Sequence, residues 1–296
     1  MSVFEPADPR FNALMLGNAE LEILAENCRW LEGPVWFADH ELLLFSDIPN
    51  NRVLRWCDGT VTNFQYPSDF ANGHARDNEG RLISCLHRGR AITRRELDGR
   101  ITLLAETFNG KRLNSPNDVT VQRGSGDIWF TDPPYGINTD YEGGKQASEN
   151  PPALYRLSRE GRLCIAADDF VGPNGLAFSR DELRLYVTET GDQFAENPER
   201  HIRVFDVDGH KLHNGRVFAR ITPGYADGIA CDQQGNLWCS AGDGVHCLSP
   251  DGELLGKIAT GCTVSNIAFG GRNLCRLFIC AGTRLLAVYT NTRGCP

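Results

Sequence analysis

The sequence lacks several features that would assign the protein to other structural classes. No stretch approaches 18 uninterrupted apolar residues, so no membrane-spanning helix is predicted. The first residues, MSVFEPADPRFNALMLGN, contain no basic segment followed by an apolar one, and we therefore expect a cytoplasmic protein. No segment is of low complexity, and no periodicity indicates a convincing amphipathic helix.

An excess of basic residues is also absent. The 30 Lys and Arg are outnumbered by 38 Asp and Glu, which gives a net charge of -8. A nucleic-acid surface needs clustered positive charge to neutralise phosphates, so this balance argues against such a partner. We expect a small-molecule substrate instead, without nucleic acid or membrane, and a chain that acts as a monomer or a homodimer.

The cysteine pattern does not indicate a disulfide framework. The chain has 11 cysteines, an odd number, and no C-x-x-C pair. Several fall inside apolar strand patterns, namely Cys85, Cys231, Cys239 and Cys280. Buried free thiols are therefore predicted rather than disulfides or a thiolate metal site. A bridge between Cys28 and Cys295, near the two ends, stays open.

What the sequence does contain is a sixfold repeat. Each copy has a polar residue at its second position, continues into a short apolar strand, turns, and enters a second strand rich in aromatic or β-branched residues. The copies are LEGPVWFADHELLLFSD, ANGHARDNEGRLISCLH, PNDVTVQRGSGDIWFTD, PNGLAFSRDELRLYVTE, ADGIACDQQGNLWCSAG and VSNIAFGGRNLCRLFIC. The leading polar residues, here called the mouth ring, are Glu32, Asn72, Asn117, Asn174, Asp227 and Ser265.

The repeat predicts an all-β fold, a six-bladed β-propeller with four strands per blade that occupies residues 1–296 as one domain. The first five copies continue to a hairpin that turns on an acidic residue followed by Gly, whereas the sixth ends after three strands. We expect residues 20–25 to supply the missing strand and close the ring. A stack of separate all-β domains is the alternative, although no linker divides the repeat.

In a propeller the first strand of each blade lines the central channel, so the mouth ring should surround one opening. Asn and Asp before a strand often form turns only, but Glu32 is a poor turn former. Carboxylates and amide oxygens that converge on one axis need a cation, because like charges are costly together out of water. Oxygen ligands favour one hard divalent ion, foremost Ca²⁺, with Mg²⁺, Mn²⁺ and Zn²⁺ left open.

The loops between second and third strands should return to the same opening. Two are long, residues 132–152 and 189–201, and long ordered loops at a site are commonly lids or specificity loops. We expect Asn117, Asp132 and Tyr135 to contact the substrate. His87 lies in the shorter loop of the second copy, where it is either a proton carrier or a solvated loop histidine.

The motifs GKRLNSPNDVTV, WFTDPPYG, GPNGLAFS and YADGIACDQQGNLW resemble the gluconolactonase and regucalcin family of six-bladed, metal-dependent lactonases, and specifically its bacterial gluconolactonase branch. The resemblance covers nearly the whole chain. It implies a divalent ion, usually Ca²⁺, bound by Glu32, Asn117, Asn174 and Asp227. Where the family usually has Cys-Glu-His-Gly, this chain has Cys-Leu-His-Arg at residues 85–88, which retains His87.

The predicted reaction is the metal-dependent hydrolysis of gluconolactone-like sugar lactones to aldonic acids. Asp227 is the candidate ligand and general base, with His87 as a second candidate proton carrier. No G-x-S-x-G motif offers a serine nucleophile. Two alternatives stay open, a phosphotriesterase-like hydrolase that uses the same ion and a non-catalytic Ca²⁺-binding propeller.

Overall fold

Short strands joined by tight turns make up most of the chain, as the repeated acidic-Gly hairpins predict. A computed structural model describes residues 3–295 and contains one short α-helix, Tyr135–Asn138. At the first hairpin both Asp58 and Gly59 have positive φ, 46° and 76°, which is the conformation that a two-residue turn between twisted strands requires. The turn residues therefore set where each blade folds back.

The first part of the chain forms an N-terminal segment and two four-stranded antiparallel sheets. The segment comprises β1 (Phe4–Pro6), a 3-10 helix (Pro9–Leu14) and β2 (Glu22–Ala25). Blade I comprises β3 (Leu31–Phe37), β4 (Leu42–Asp47), β5 (Arg52–Cys57) and β6 (Thr60–Gln65), with short 3-10 turns at Ala38–His40 and Ile48–Asn50. Blade II comprises β7 (Ala71–Arg76), β8 (Leu82–Leu86), β9 (Ala91–Arg95) and β10 (Ile101–Ala105), and a small hairpin of β11 (Thr107–Phe108) and β12 (Lys111–Arg112) follows it.

The remaining strands complete the propeller. Blade III comprises β13 (Val119–Val121), β14 (Ile128–Asp132), β15 (Ala153–Leu157) and β16 (Leu163–Ala167). Blade IV comprises β17 (Pro173–Phe178), β18 (Arg184–Glu189), β19 (His201–Asp208) and β20 (Lys211–Ala219). Blade V comprises β21 (Ile229–Cys231), β22 (Leu237–Ser240), β23 (Gly244–Leu248) and β24 (Leu254–Ala259). Blade VI comprises β25 (Asn266–Gly270), β26 (Arg276–Ala281) and β27 (Arg284–Tyr289).

The ring closes as the three-stranded sixth repeat predicts. Strand β2 pairs antiparallel with β27, Glu22 opposite Ala287, and so becomes the fourth strand of blade VI. The N-terminal segment also does something that the repeat does not indicate, because β1 pairs with β24 as a fifth strand of blade V. Between these strands the 3-10 helix buries Phe11 and Leu14 completely or nearly so. The segment thus ties blade V to blade VI.

The hydrophobic core lies between neighbouring blades rather than at the axis. Alternate residues of a strand point to opposite faces of its sheet, so each blade contributes to two interfaces. Strand β14 shows this directly. Phe130 stacks on Tyr155 at 5.4 Å in the cluster shared with blade II, whereas Trp129 packs edge-on against Phe178 of blade IV at 5.8 Å. The apolar strands therefore leave the axis to polar residues.

Two further sequence-based expectations concern membrane helices and cysteines. Within residues 3–295 no helix is long and apolar enough to cross a membrane. All 11 cysteines are free thiols. The bridge left open between Cys28 and Cys295 does not form. The backbone N–H of Cys28 donates to the carbonyl oxygen of Thr283 in blade VI, whereas the backbone N–H of Cys295 donates to the carbonyl oxygen of Cys231 in blade V.

Candidate active site and metal centre

One cavity at the mouth of the channel collects most of the predicted site residues. Its wall includes the four predicted metal ligands, Glu32, Asn117, Asn174 and Asp227, together with Asn72. These residues come from five different blades, and five of the six mouth-ring positions are represented. The rest of the wall comprises Trp30, Ile48, Tyr135, Glu142, Thr190, Gly191, Gln193, Arg200 and Tyr225.

The first strands are irregular where the mouth-ring residues lie. In blades I, II and IV the pairing register shifts around Glu32, Asn72 and Asn174. Such bulges re-aim a side chain, and they are common beside active sites. Gly33 makes the bulge in blade I feasible, because its φ is +52° and a Cβ there would collide with the carbonyl oxygen of Asn72.

Hydroxyl groups of the second strands fix the mouth ring from the neighbouring blade. In three blades a serine or threonine donates to the backbone carbonyl of the next blade's ring residue: Ser46 to Asn72 at 2.8 Å, Thr131 to Asn174 at 2.7 Å, and Thr188 to Asp227 at 2.9 Å. These hydroxyls were missed in the sequence. Their signal is visible there, a Ser or Thr followed by Asp or Glu in FSD, FTD and VTE.

The candidate ligands present oxygen atoms that no protein donor satisfies. The side chains of Asn117 and Asp227 make no hydrogen bond within residues 3–295. Glu32 accepts from the Gly33 N–H and from Asn266 Nδ2 at 3.0 Å each, both at Oε2, so Oε1 stays free. Asn174 donates to Thr190 Oγ1 at 3.4 Å and keeps its own oxygen free. Unsatisfied oxygens in one polar cavity are a signature of a ligand site.

Burial makes the charged form of the cavity carboxylates unfavourable, and for Asp227 and Glu32 neighbouring negative charges add to this. Burial, followed by the charges of Glu32, Asp118 and Glu142, raises the pKa of Asp227 well above its usual range. Burial raises the pKa of Glu32 to about 8, although the hydrogen bond from Asn266 opposes this shift. Burial also raises the pKa of Glu142 to about 7. Grouped carboxylates of this kind require a compensating positive charge.

This donor set fits a hard divalent cation. It offers two carboxylates and two amide oxygens, which Ca²⁺ accepts readily. Within residues 3–295 no group of three or more His, Cys, Asp or Glu is arranged to hold a metal ion, and the candidate set contains only two such residues. A cation held by Glu32 and Asp227 would offset the burial and the repulsion that raise their pKa values.

His87 does not line the cavity. It is fully buried, and burial lowers its pKa to about 4, so the ring is neutral. Nδ1 lies 3.0 Å from the carbonyl oxygen of Glu142, which can only accept, so Nδ1 carries the hydrogen. Nε2 must then accept from Asn72 Nδ2, also at 3.0 Å. Both alternatives from the sequence, proton carrier and solvated loop histidine, disagree with this environment.

The orientation that His87 imposes on Asn72 leaves the amide oxygen of Asn72 without a hydrogen-bond donor in the described part of the chain. Because the amide nitrogen of Asn72 faces the ring, its Oδ1 points away from His87 and is buried without a partner among the described residues. Asn72 lines the cavity, but this oxygen itself is buried and is not one of the candidate ligand oxygens. His87 thus acts on the cavity through Asn72 and through the Glu142 backbone.

The three predicted substrate contacts differ in position. Asn117 and Tyr135 line the cavity, but the hydroxyl of Tyr135 is already bonded to Gly172, Thr190 and Gly191. Asp132 lies outside the wall, fully buried, and its carboxylate accepts from the Asn114 N–H at 2.8 Å. Asp132 ends strand β14 with its side chain turned towards this backbone, so the structure does not support it as a substrate contact.

The sixth blade also departs from the repeat alignment. Ser265 does not reach the cavity, because its hydroxyl donates to the carbonyl oxygen of Leu31 at 2.6 Å. The next residue, Asn266, faces the axis instead and lies 3.0 Å from Glu32 and 3.4 Å from Asp118. Burial raises the pKa of Asp118 to about 6. The amide nitrogen of Asn266 therefore donates both to Glu32 of the mouth ring and to Asp118.

The long loops return to the cavity as expected, and besides Tyr135 they contribute residues that the sequence did not single out. Glu142 of the blade III loop and Arg200 of the blade IV loop line the wall. Tyr141, the neighbouring aromatic, is instead 52% exposed and lies outside it. No repeat relates these loop residues to one another, so only the loop positions could be predicted.

Comparison with known proteins agrees with this architecture. A family model described as "SMP-30/Gluconolactonase/LRE-like region" matches residues 30–283. The chain belongs to this family. A family relative, the gluconolactonase of Zymomonas mobilis subsp. mobilis, is 34% identical over 97% of this chain and 85% of its own length. Pentonolactonase XacC of Haloferax volcanii is 27% identical over 87% of this chain and 83% of its own length.

The fold is shared with solved structures of the family. XC5397 from Xanthomonas campestris, described as a gluconolactonase, superposes with a TM-score of 0.91 at 40% identity and covers 97% of this chain and 94% of its own. The structural similarity therefore extends over nearly the whole chain.

Proposed function

We propose that the protein hydrolyses sugar lactones of the gluconolactone type to aldonic acids, with one divalent cation held by Glu32, Asn117, Asn174 and Asp227. The protein is a lactonase, since its gluconolactonase and pentonolactonase relatives match almost its full length. The observation that carries the proposed site is the set of unsatisfied oxygens from four blades around one cavity. Ca²⁺ is the favoured ion because all four donors are oxygen.

Hydrolysis of a lactone turns a planar carbonyl into a tetrahedral oxyanion. A bound divalent cation supplies positive charge where that negative charge develops. Asp227 is the candidate general base, because its carboxylate faces the cavity without a hydrogen-bond donor and burial raises its pKa. It would take one proton from the attacking water. Ligation of the cation lowers this basicity, so the two roles of Asp227 must be separated by experiment.

The test is a Ca²⁺ titration of the Asp227→Asn variant, followed by lactone hydrolysis at saturating cation. Asn keeps the size and one oxygen but removes a charge and the proton-accepting group. We expect weaker cation binding and a rate at the plateau that is lower by about 10²- to 10⁴-fold, the usual contribution of a positioned acid or base. Asp208→Asn is the matched control, because Asp208 is exposed in a blade IV hairpin.

Three outcomes would decide against parts of this proposal. Full recovery of the wild-type rate at high Ca²⁺ would leave Asp227 as a ligand only. Unchanged affinity together with an unchanged rate would remove Asp227 from the site. A wild-type protein that binds Ca²⁺ but opens no sugar lactone at any cation concentration would refute the proposed substrate.

A further inference from the structure

Arg200 is the basic side chain of the cavity. Among the described residues that line the wall, no other Arg, Lys or His occurs. Arg200 ends the long loop of blade IV, directly before β19, and it lies beside Tyr225 of the next blade. The cavity therefore combines several carboxylates with a single guanidinium.

The guanidinium of Arg200 is held in place, but only one of its nitrogens donates to another described residue. Its Nε donates to the carbonyl oxygen of Thr190 at 3.1 Å, and its central carbon lies 4.2 Å from the centre of the Tyr225 ring. Nη1 and Nη2 make no hydrogen bond or ion pair within residues 3–295. The next arginine along the chain behaves differently, since Arg203 is paired with Asp169 at 2.7 Å. Two parallel N–H donors are thus presented by a fixed group.

Glu142 complements Arg200 on the neighbouring blade. It lines the same cavity, and its carboxylate makes no hydrogen bond or ion pair with the described residues. An unpaired charge in a partly dehydrated cavity is unfavourable unless a ligand compensates it. The free guanidinium nitrogens of Arg200 and the free carboxylate of Glu142 line one cavity. They indicate a ligand that both accepts and donates hydrogen bonds.

Neighbouring hydroxyl groups match this requirement better than an anion does. A hydroxyl donates to a carboxylate and accepts from a guanidinium. An added negative charge would meet Glu32, Glu142 and Asp227 in the same wall, against one arginine and the two charges of a bound cation. An acidic substituent therefore gains little net attraction.

We propose that Arg200 and Glu142 are specificity-determining residues that bind neighbouring hydroxyls of the lactone, so that the cavity selects polyhydroxylated, uncharged lactones over unsubstituted and acidic ones. This inference rests on the proposed lactone hydrolysis and adds how the substrate is chosen. Neither residue is assigned a part in the transfer of the proton.

The experiment compares three lactones with saturating Ca²⁺: glucono-δ-lactone with its hydroxyls, δ-valerolactone without them, and glucaro-1,4-lactone, which carries a carboxylate. The variants are Arg200→Met, Arg200→Lys and Glu142→Gln. Arg216→Met is the matched control, because Arg216 pairs with Asp206 on the outer strand of the same blade. Circular dichroism and thermal melting establish that each variant is folded.

For Arg200→Met and Glu142→Gln we expect kcat/KM on glucono-δ-lactone to fall by about 10- to 100-fold, as for the loss of a charged hydrogen bond. On δ-valerolactone it should change by less than about threefold, because no hydroxyl is lost there. Arg200→Lys should retain part of the preference, since it keeps the charge but not the fork. Arg216→Met should match the wild type on all three lactones.

An equal loss on glucono-δ-lactone and δ-valerolactone would overturn the inference and leave lactone hydrolysis intact. A loss confined to glucaro-1,4-lactone would also overturn it, because Arg200 would then serve an anion. If the wild type opens none of the three lactones, the proposed function fails instead, so the two failures are distinguishable.

Discussion

At the scale of single residues, His87 shows how surroundings decide a role. Histidine is the usual proton carrier near neutral pH, but this ring is buried, neutral and bonded at both nitrogens. What it controls is the direction of the Asn72 amide. The blade carries a second buried histidine, His74, which is bonded to Ser46 and Ser84 instead, and burial lowers its pKa to about 4 as well.

These two histidines give a matched pair of variants. His87→Leu should weaken Ca²⁺ binding, because Asn72, which lines the cavity, loses the partner that fixes its amide. His74→Leu should lower the melting temperature but leave Ca²⁺ affinity unchanged. Calorimetric titration and thermal melting measure both effects. If His87→Leu abolished one limb of the rate-pH profile and left Ca²⁺ affinity intact, the proton-carrier role would be restored.

Which residues could be predicted depends on whether the repeat constrains them. Glu32, Asn117 and Asp227 occupy equivalent strand starts, so their meeting follows from the sixfold alignment alone. Blade VI broke the alignment by one residue, because side chains alternate along a strand and Asn266, not Ser265, faces the axis. Glu142 lies on an irregular loop whose path depends on tertiary contacts, such as the hydrogen bond from His87 to its carbonyl oxygen.

At the scale of elements, the N-terminal segment joins two blades by different means. The closing strand β2 was predictable, because a repeat with three strands leaves an unpaired edge on β27. The fifth strand β1 and the buried Phe11 were not, since no copy of the repeat contains them. Phe11 lies 6.1 Å from Trp238 of blade V, so it fills a gap that only the folded blade creates.

Two deletions separate these contributions. Removal of residues 1–26 takes away the fourth strand of blade VI together with Phe11 and Leu14, and each such buried side chain stabilises by about 2–5 kcal/mol. We expect little soluble, folded protein. Removal of residues 1–6 takes away only β1, which is largely exposed, and should lower the melting temperature by a few degrees. Equal melting of the longer truncation and the full chain would contradict the closure role.

At the scale of the whole molecule, the acidic mouth couples stability to pH. Burial raises the pKa of Asp118 to about 6, of Glu142 to about 7 and of Glu32 to about 8, all above the values of an unfolded chain near 4. Without a cation, the folded protein therefore holds protons that the unfolded chain has released. Its free energy of unfolding should fall as pH rises from about 4 to about 8.

The corresponding measurement is thermal melting of the cation-free protein at about pH 5 and pH 8, with and without added Ca²⁺. We expect the lower melting temperature at the higher pH, and a larger stabilisation by Ca²⁺ there, because protons no longer compete with the cation. Glu32→Gln should flatten the pH dependence by removing one of the raised carboxyls. A cation-free protein that becomes more stable towards pH 8 would refute this account.

The pairing of β2 with β27 has a consequence for biosynthesis. Blades I to IV, and the four inner strands of blade V, consist of strands that follow one another along the chain, so each can assemble locally as the nascent polypeptide leaves the ribosome. Blade VI cannot, because its outermost strand is made before blade I and its partner strand only after blade V. A prematurely terminated product would keep β2 unpaired and an apolar blade interface open, which are the surfaces that chaperones and proteases bind. Closure of the ring therefore requires that all six blades have been made.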